Sequence, residues 1–181
     1  MKKIVLTYGL ISGIIVSVLM GASMVYWGCQ ADTNLAGSMA LGYATMILAF
    51  VLIYFAQARY RDQVGDGHIT YGKAFSVGIL VALISSLCYV ITWMFLFAYV
   101  MPDFMDKYVD IEIARMTKSG MSAEQIAAAK MKMEESGRLY QENAFYRAGI
   151  TFMEIFPVGL LVTIISSFLV RMKKKKSSLA S

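Results

Sequence analysis

The chain has 181 residues, 58% of them apolar, and a formal charge of +5. Soluble domains are about 45–50% apolar, so the excess points to lipid as solvent. One domain suits this length. The basic residues cluster beside apolar blocks and not on a polar face, which argues against a nucleic-acid partner.

Four stretches approach the roughly 20 apolar residues that a bilayer crossing needs. The first, Ile4 to Cys29, follows Lys2 and Lys3 and carries no charge. It exceeds the apolar core of about 7–15 residues found in a secretory signal. Gly28 before Cys29 fits a lipoprotein cleavage site, but the bulky Tyr26 and Trp27 do not; they suit an interfacial aromatic belt better. The second and third stretches, Leu35 to Ala58 and Ala74 to Met101, are also uncharged, and the third is long enough to tilt. The fourth, Ala148 to Val170, carries one charge, Glu154. Backbone groups in hydrocarbon must pair within their own segment, so each stretch is predicted to be helical. The expected fold is therefore all-α, a four-helix transmembrane bundle in a single integral membrane domain. Its spans are predicted at about 4–29, 35–58, 74–101 and 148–170, with a helical hairpin at 102–147 and a basic tail at 171–181.

Charge near the span ends orients the chain. Lys2, Lys3, Arg59, Arg61, Lys73, Arg171 and Lys173 to Lys176 face only two acids, Asp62 and Asp66. On the opposite side, seven basic residues face nine acids. By the positive-inside rule the N and C termini are expected to be cytoplasmic. Cys29 then ends one span while Cys88 lies near the middle of another, about 20 Å from its outer end at 1.5 Å per residue, so no disulfide is expected.

The segment between the third and fourth spans reads as two helices. Pro102, Asp103 and Asp106 suit a helix start, and Gly120 a stop. Ser122 and Gln125 then have the spacing of a capping box, opening a second helix that runs toward Gly137. Phe104, Tyr108, Ile111 and Arg115 share a face in the first; Ile126, Ala129 and Met133 do so in the second. Such a hairpin either packs on itself or offers a platform to a protein partner.

Small residues recur every four positions within the spans: Gly9, Gly13, Ser17 and Gly21 in the first, Gly78, Ala82 and Ser86 in the third, Gly159, Thr163 and Ser167 in the fourth. Such ladders let helix backbones approach closely. Packing within the bundle is the expected use; homo-oligomer formation through the first span is the alternative.

Glu154 is the one ionisable residue within a span, and Pro157 follows one turn later. An intramembrane carboxyl beside a proline has the makings of a proton or cation site. It is also open to a structural role, bonded to Tyr26, Thr45, Thr92 or Trp93, or paired with Arg147. His68, the sole histidine, has no cysteine partners that would make a zinc site. No nucleophile–base pair, P-loop or HExxH motif is present. No cofactor or catalytic constellation is expected.

Gly67-His68-Ile69-Thr70-Tyr71-Gly72-Lys73-Ala74-Phe75 enters the third span, Pro102 to Tyr108 leaves it, and Glu154-Ile155-Phe156-Pro157-Val158-Gly159-Leu160 lies in the fourth. In order and spacing these segments resemble the uncharacterised bacterial multi-pass membrane family known as domain of unknown function 4199. The resemblance implies a bacterial inner-membrane protein. It supplies no catalytic residues, but singles out Gly72, Lys73, Glu154 and Pro157. The sequence thus predicts a non-enzymatic protein in a structural or interaction role. The alternative is a small transporter or ion pathway through Glu154.

Overall fold

A computed structural model describes residues 1–28 and 35–172, apart from the side chains of residues 25–28, 35–39 and 41. The expectations for Tyr26, Trp27, Cys29 and the Lys173–Lys176 run fall outside the described residues. Six helices are described: α1 (Lys2–Gly28), α2 (Leu35–Val64), α3 (Tyr71–Tyr99), α4 (Phe104–Lys118), α5 (Ala123–Glu142) and α6 (Ala144–Met172). Four of them, α1, α2, α3 and α6, are long and apolar enough to cross a membrane. The fold is all-α, and the chain is a multi-pass membrane protein. The chain forms two compact units, one of residues 1–91 with 152–181, the other of residues 92–151. The second is larger than the hairpin expected at 102–147, because it takes in the last turns of α3 and the first of α6.

In the first unit, burial follows helical periodicity. On α1 the buried residues are Val5, Gly9, Ser12, Gly13, Val16 and Met20, three or four apart. On α2 they include Met46, Ala49, Phe50, Ile53, Gln57, Tyr60 and Arg61. Half of the most apolar stretch of α3 is buried, against a third in each of the other three long helices. The outward faces carry Ile14, Val18, Leu48, Leu87, Leu161 and Ile165, as expected of surfaces solvated by lipid.

The ladders of small residues form the seams. A Cβ on Gly9 would stand 2.9 Å from Ile84 Cβ, and one on Gly13 would stand 2.7 Å from Cys88 Cβ, so both glycines seat α1 against α3. Ser85 Oγ donates to Gly9 O across that seam (3.1 Å) and Ser12 Oγ to Ala49 O of α2 (2.9 Å). Gly21 meets nothing within 4 Å among the described residues. Between α3 and α6 two ladders mesh: a Cβ on Gly78 would lie 2.7 Å from Thr163 Cγ2, and one on Gly159 would lie 3.0 Å from Ala82 Cβ. Side chains this small bring the backbones together where hydrophobicity supplies no net attraction between helices.

Between α2 and α3 the chain turns tightly. Asp66 (φ 48°) and Gly67 (φ 87°) take the left-handed conformation, and Gly67 N–H donates to Arg61 O at 3.0 Å. A Cβ on Gly65 would collide with the His68 carbonyl, so this position requires glycine.

The second unit is held by local chemistry. Ser122 Oγ accepts from Gln125 N–H (3.3 Å) and Gln125 Oε1 from Ser122 N–H (3.1 Å), which completes the capping box. Gly120 adopts φ 77° after α4, as expected of a helix stop. Two features sharpen the expected pair of helices. The inward face of α4 runs through Phe104, Met105, Tyr108 and Glu112, leaving Ile111 and Arg115 exposed. And α5 continues past Gly137 to Glu142, because Gly137 sits at a close approach to Met105 Cε, 3.2 Å from where its Cβ would be. The inward face of α5 is Ile126, Ala129, Met133, Gly137 and Tyr140.

Candidate functional site

Glu154 lies on an exposed face of α6 with Met153 and Pro157. It enters no ion pair and no hydrogen bond among the described residues. Two of the partners considered for it are engaged elsewhere: Thr45 donates to Gly42 O (2.7 Å) and Trp93 Nε1 to Tyr140 Oη (2.6 Å). α6 stays helical through Pro157. Proline has no N–H to offer the Met153 carbonyl, so the helix bond that would end there is missing.

Arg147, one of the partners open to Glu154, is engaged within the second unit. Arg147 is 7% exposed, and its Nη1 donates to Tyr140 O (2.7 Å) and Gln141 O (3.1 Å), two of the last carbonyls of α5. Its guanidinium lies 4.2 Å from the Phe97 ring centroid and 5.9 Å from that of Tyr140. The positive charge thus meets the negative end of the α5 dipole and two aromatic faces. Phe104 adds edge contacts to Trp93 (5.0 Å) and Phe97 (6.3 Å). Asn143 sets the corner: its N–H bonds Leu139 O at the end of α5, and its Oδ1 accepts from Phe145 and Tyr146 N–H, both at 3.0 Å, at the start of α6. The signal for this was an asparagine three residues before Tyr146 in an otherwise unbroken helical pattern.

Within the same unit Glu112 is 9% exposed and bonded to Arg115 at 3.4 Å. Burial, and next the neighbouring Glu112 carboxylate, raise the Tyr108 phenol above the usual range.

Gly72 and Lys73 are exposed at the start of α3. Thr70 Oγ1 accepts from Lys73 N–H at 3.4 Å, and Gly72 O accepts from Ser76 Oγ at 2.8 Å. The motif is a helix start, with Thr70 as its cap. His68 is exposed in the preceding turn. No three or more metal-ligating side chains gather among the described residues. Ser17 is half-buried on α1, between Gly13 and Gly21.

The most polar place in the bundle was not singled out from the sequence. Gln57 is fully buried where α2, α3 and α6 meet. Its Nε2 donates to Ala74 O (3.1 Å) and Ser167 Oγ (2.9 Å), and Ser167 Oγ donates to Thr163 O (2.6 Å). One turn along α2, Arg61 is 8% exposed, donates to Val170 O (3.3 Å) and pairs with Asp62 (2.8 Å). A search for charges within spans passes over an uncharged amide. The legible signal was Gln57 and Arg61 four apart, at the end of a run of apolar residues.

No curated protein and no solved structure matches the chain significantly. The model of one family does, over residues 7–172, a range that takes in every feature described above except the first residues of α1. The chain belongs to the family described as protein of unknown function (DUF4199).

Proposed function

We propose that this protein is a non-enzymatic component of the bacterial inner membrane, with cytoplasmic termini and a hairpin, α4–α5, that presents a preformed surface to a protein partner on the outer side. The observation that carries this reading is α5. It is a regular helix of 20 residues, yet most of its circumference is exposed. Ala127, Ala128 and Met131, the last 71% exposed, set apolar surface among the charges of Lys130, Lys132, Glu134 and Glu135. Its order comes from the capping box at one end and from Arg147 and Asn143 at the other, with little burial between. A surface ordered before contact loses less entropy on binding. The charge asymmetry of the sequence supports the orientation.

A photo-crosslinker at Met131 in cells is expected to give one defined adduct, absent when it is placed on the inward face at Met133. A diffuse set of neighbours from both positions would remove the reading's support. The alternative, an ion pathway through Glu154, calls for that carboxyl to face a polar interior. Its place on the outer face of α6 favours lateral contact instead.

A further inference from the structure

We propose that Gln57 and Thr163 hold an internal water molecule between α2, α3 and α6. The argument is a count of donors and acceptors. Gln57 has two amide hydrogens, and both are used, on Ala74 O and Ser167 Oγ. Its Oε1 is buried and accepts from nothing among the described residues. The Ser167 hydroxyl gives its only proton to Thr163 O. Thr163 Oγ1 is likewise buried without a partner. Ser166 and Ser167 both donate to the Thr163 carbonyl, at 3.2 and 2.6 Å, while the Thr163 hydroxyl itself makes no such bond.

Both side chains border Gly78. A Cβ there would collide with Gln57 Nε2 and stand 2.7 Å from Thr163 Cγ2. The surrounding side chains of Ala74, Gly78 and Ser167 are small. Ser86 Oγ, the third unpartnered buried atom among the described residues, lies two turns further along α3 and is not needed.

An amide oxygen left bare in an apolar interior costs several kcal/mol. The chemistry on offer selects the ligand. One pure acceptor and one hydroxyl suit a molecule that donates to the amide and exchanges one further bond with the threonine. Internal waters typically make about 2–4 hydrogen bonds to polar groups left unsatisfied by the protein. A hard cation asks for about six oxygens or more, and two are free here.

The test is solid-state NMR of the full chain in lipid vesicles, with nitrogen-labelled glutamine side chains and magnetisation transferred from water. The Gln57 amide signal is assigned by its loss in Gln57→Met, or through the Ala56 carbonyl if that variant does not fold. The expected result is transfer from a slowly exchanging water to Gln57, lost in Thr163→Val and retained in Thr163→Ser. Absence of transfer to Gln57, with transfer to the exposed Gln125 intact, overturns the proposal. So does a Gln57 signal that shifts when sodium replaces N-methylglucamine, since that identifies a cation.

Discussion

At the scale of single residues, two glycines of the same ladder-rich bundle have opposite roles. Gly78 lies against Gln57 and Thr163 from two other helices, whereas Gly21 meets nothing within 4 Å among the described residues. Gly78→Ala is expected to destabilise the protein by about 1–3 kcal/mol, the usual cost of forcing a methyl group into a filled core. Gly21→Ala is expected to be neutral or stabilising by up to about 1 kcal/mol, since alanine is the better helix former. Reversible unfolding in detergent measures both; equal effects would mean that the seam is not the determinant. Glu154 gives a third expectation. Exposed on α6 without a partner among the described residues, it is expected to tolerate Glu154→Gln with no loss of folded yield in the membrane. A defect that Glu154→Asp partly restores would instead assign the carboxylate to an ion pathway. The small-residue ladders were legible because steric needs are written directly in residue size. Gln57 was not, because its importance depends on which carbonyl and which hydroxyl two distant helices bring to it.

At the scale of elements, the hairpin unit shows how a corner can be made rigid without a large core. Arg147 closes the end of α5 by hydrogen bonds and stacks on Phe97. Lysine carries the same charge but lacks the planar fork and stacks less well. Arg147→Lys is expected to raise the amide exchange rates of the last turn of α5 about tenfold or more, while those of the Ser122 cap stay unchanged. Equal acceleration at both ends would mean the unit opens as a whole. The capping box was predictable from four consecutive residues, because a cap is a local device. The Arg147 clasp was not, since its acceptors are backbone carbonyls, which every residue has. An acid on the same helix was the natural partner to expect for an arginine. The carbonyls and ring faces satisfied it instead.

At the scale of the whole molecule, four long apolar helices and a charged hairpin follow from composition and block length, and the family match covers nearly the whole chain. The helices extend beyond the apolar blocks: α2 continues to Val64 and α6 begins at Ala144. Helices need not stop where hydrocarbon does, because their hydrogen bonds are internal. The proposed orientation predicts a labelling pattern. In intact cells, cysteine at Lys118 is expected to react with a membrane-impermeant thiol reagent, and cysteine at Lys73 only after lysis. The reverse pattern would invert the topology.

The meshed ladders of α3 and α6 carry one more consequence. Small residues repeated every four positions make a seam like a ruler with identical marks. Slid by one turn, Gly78 would face Ser167 and Ala82 would face Thr163, and size alone would not object. Gln57 breaks that degeneracy. Its amide binds Ala74 O and Ser167 Oγ at once, and the slide that brings Ser167 to Gly78 puts Arg171 in the place of that hydroxyl. The glutamine therefore works as an index pin. It decides which of several near-equivalent alignments is the native one, so its loss is felt first as ambiguity of register and only then as lost stability.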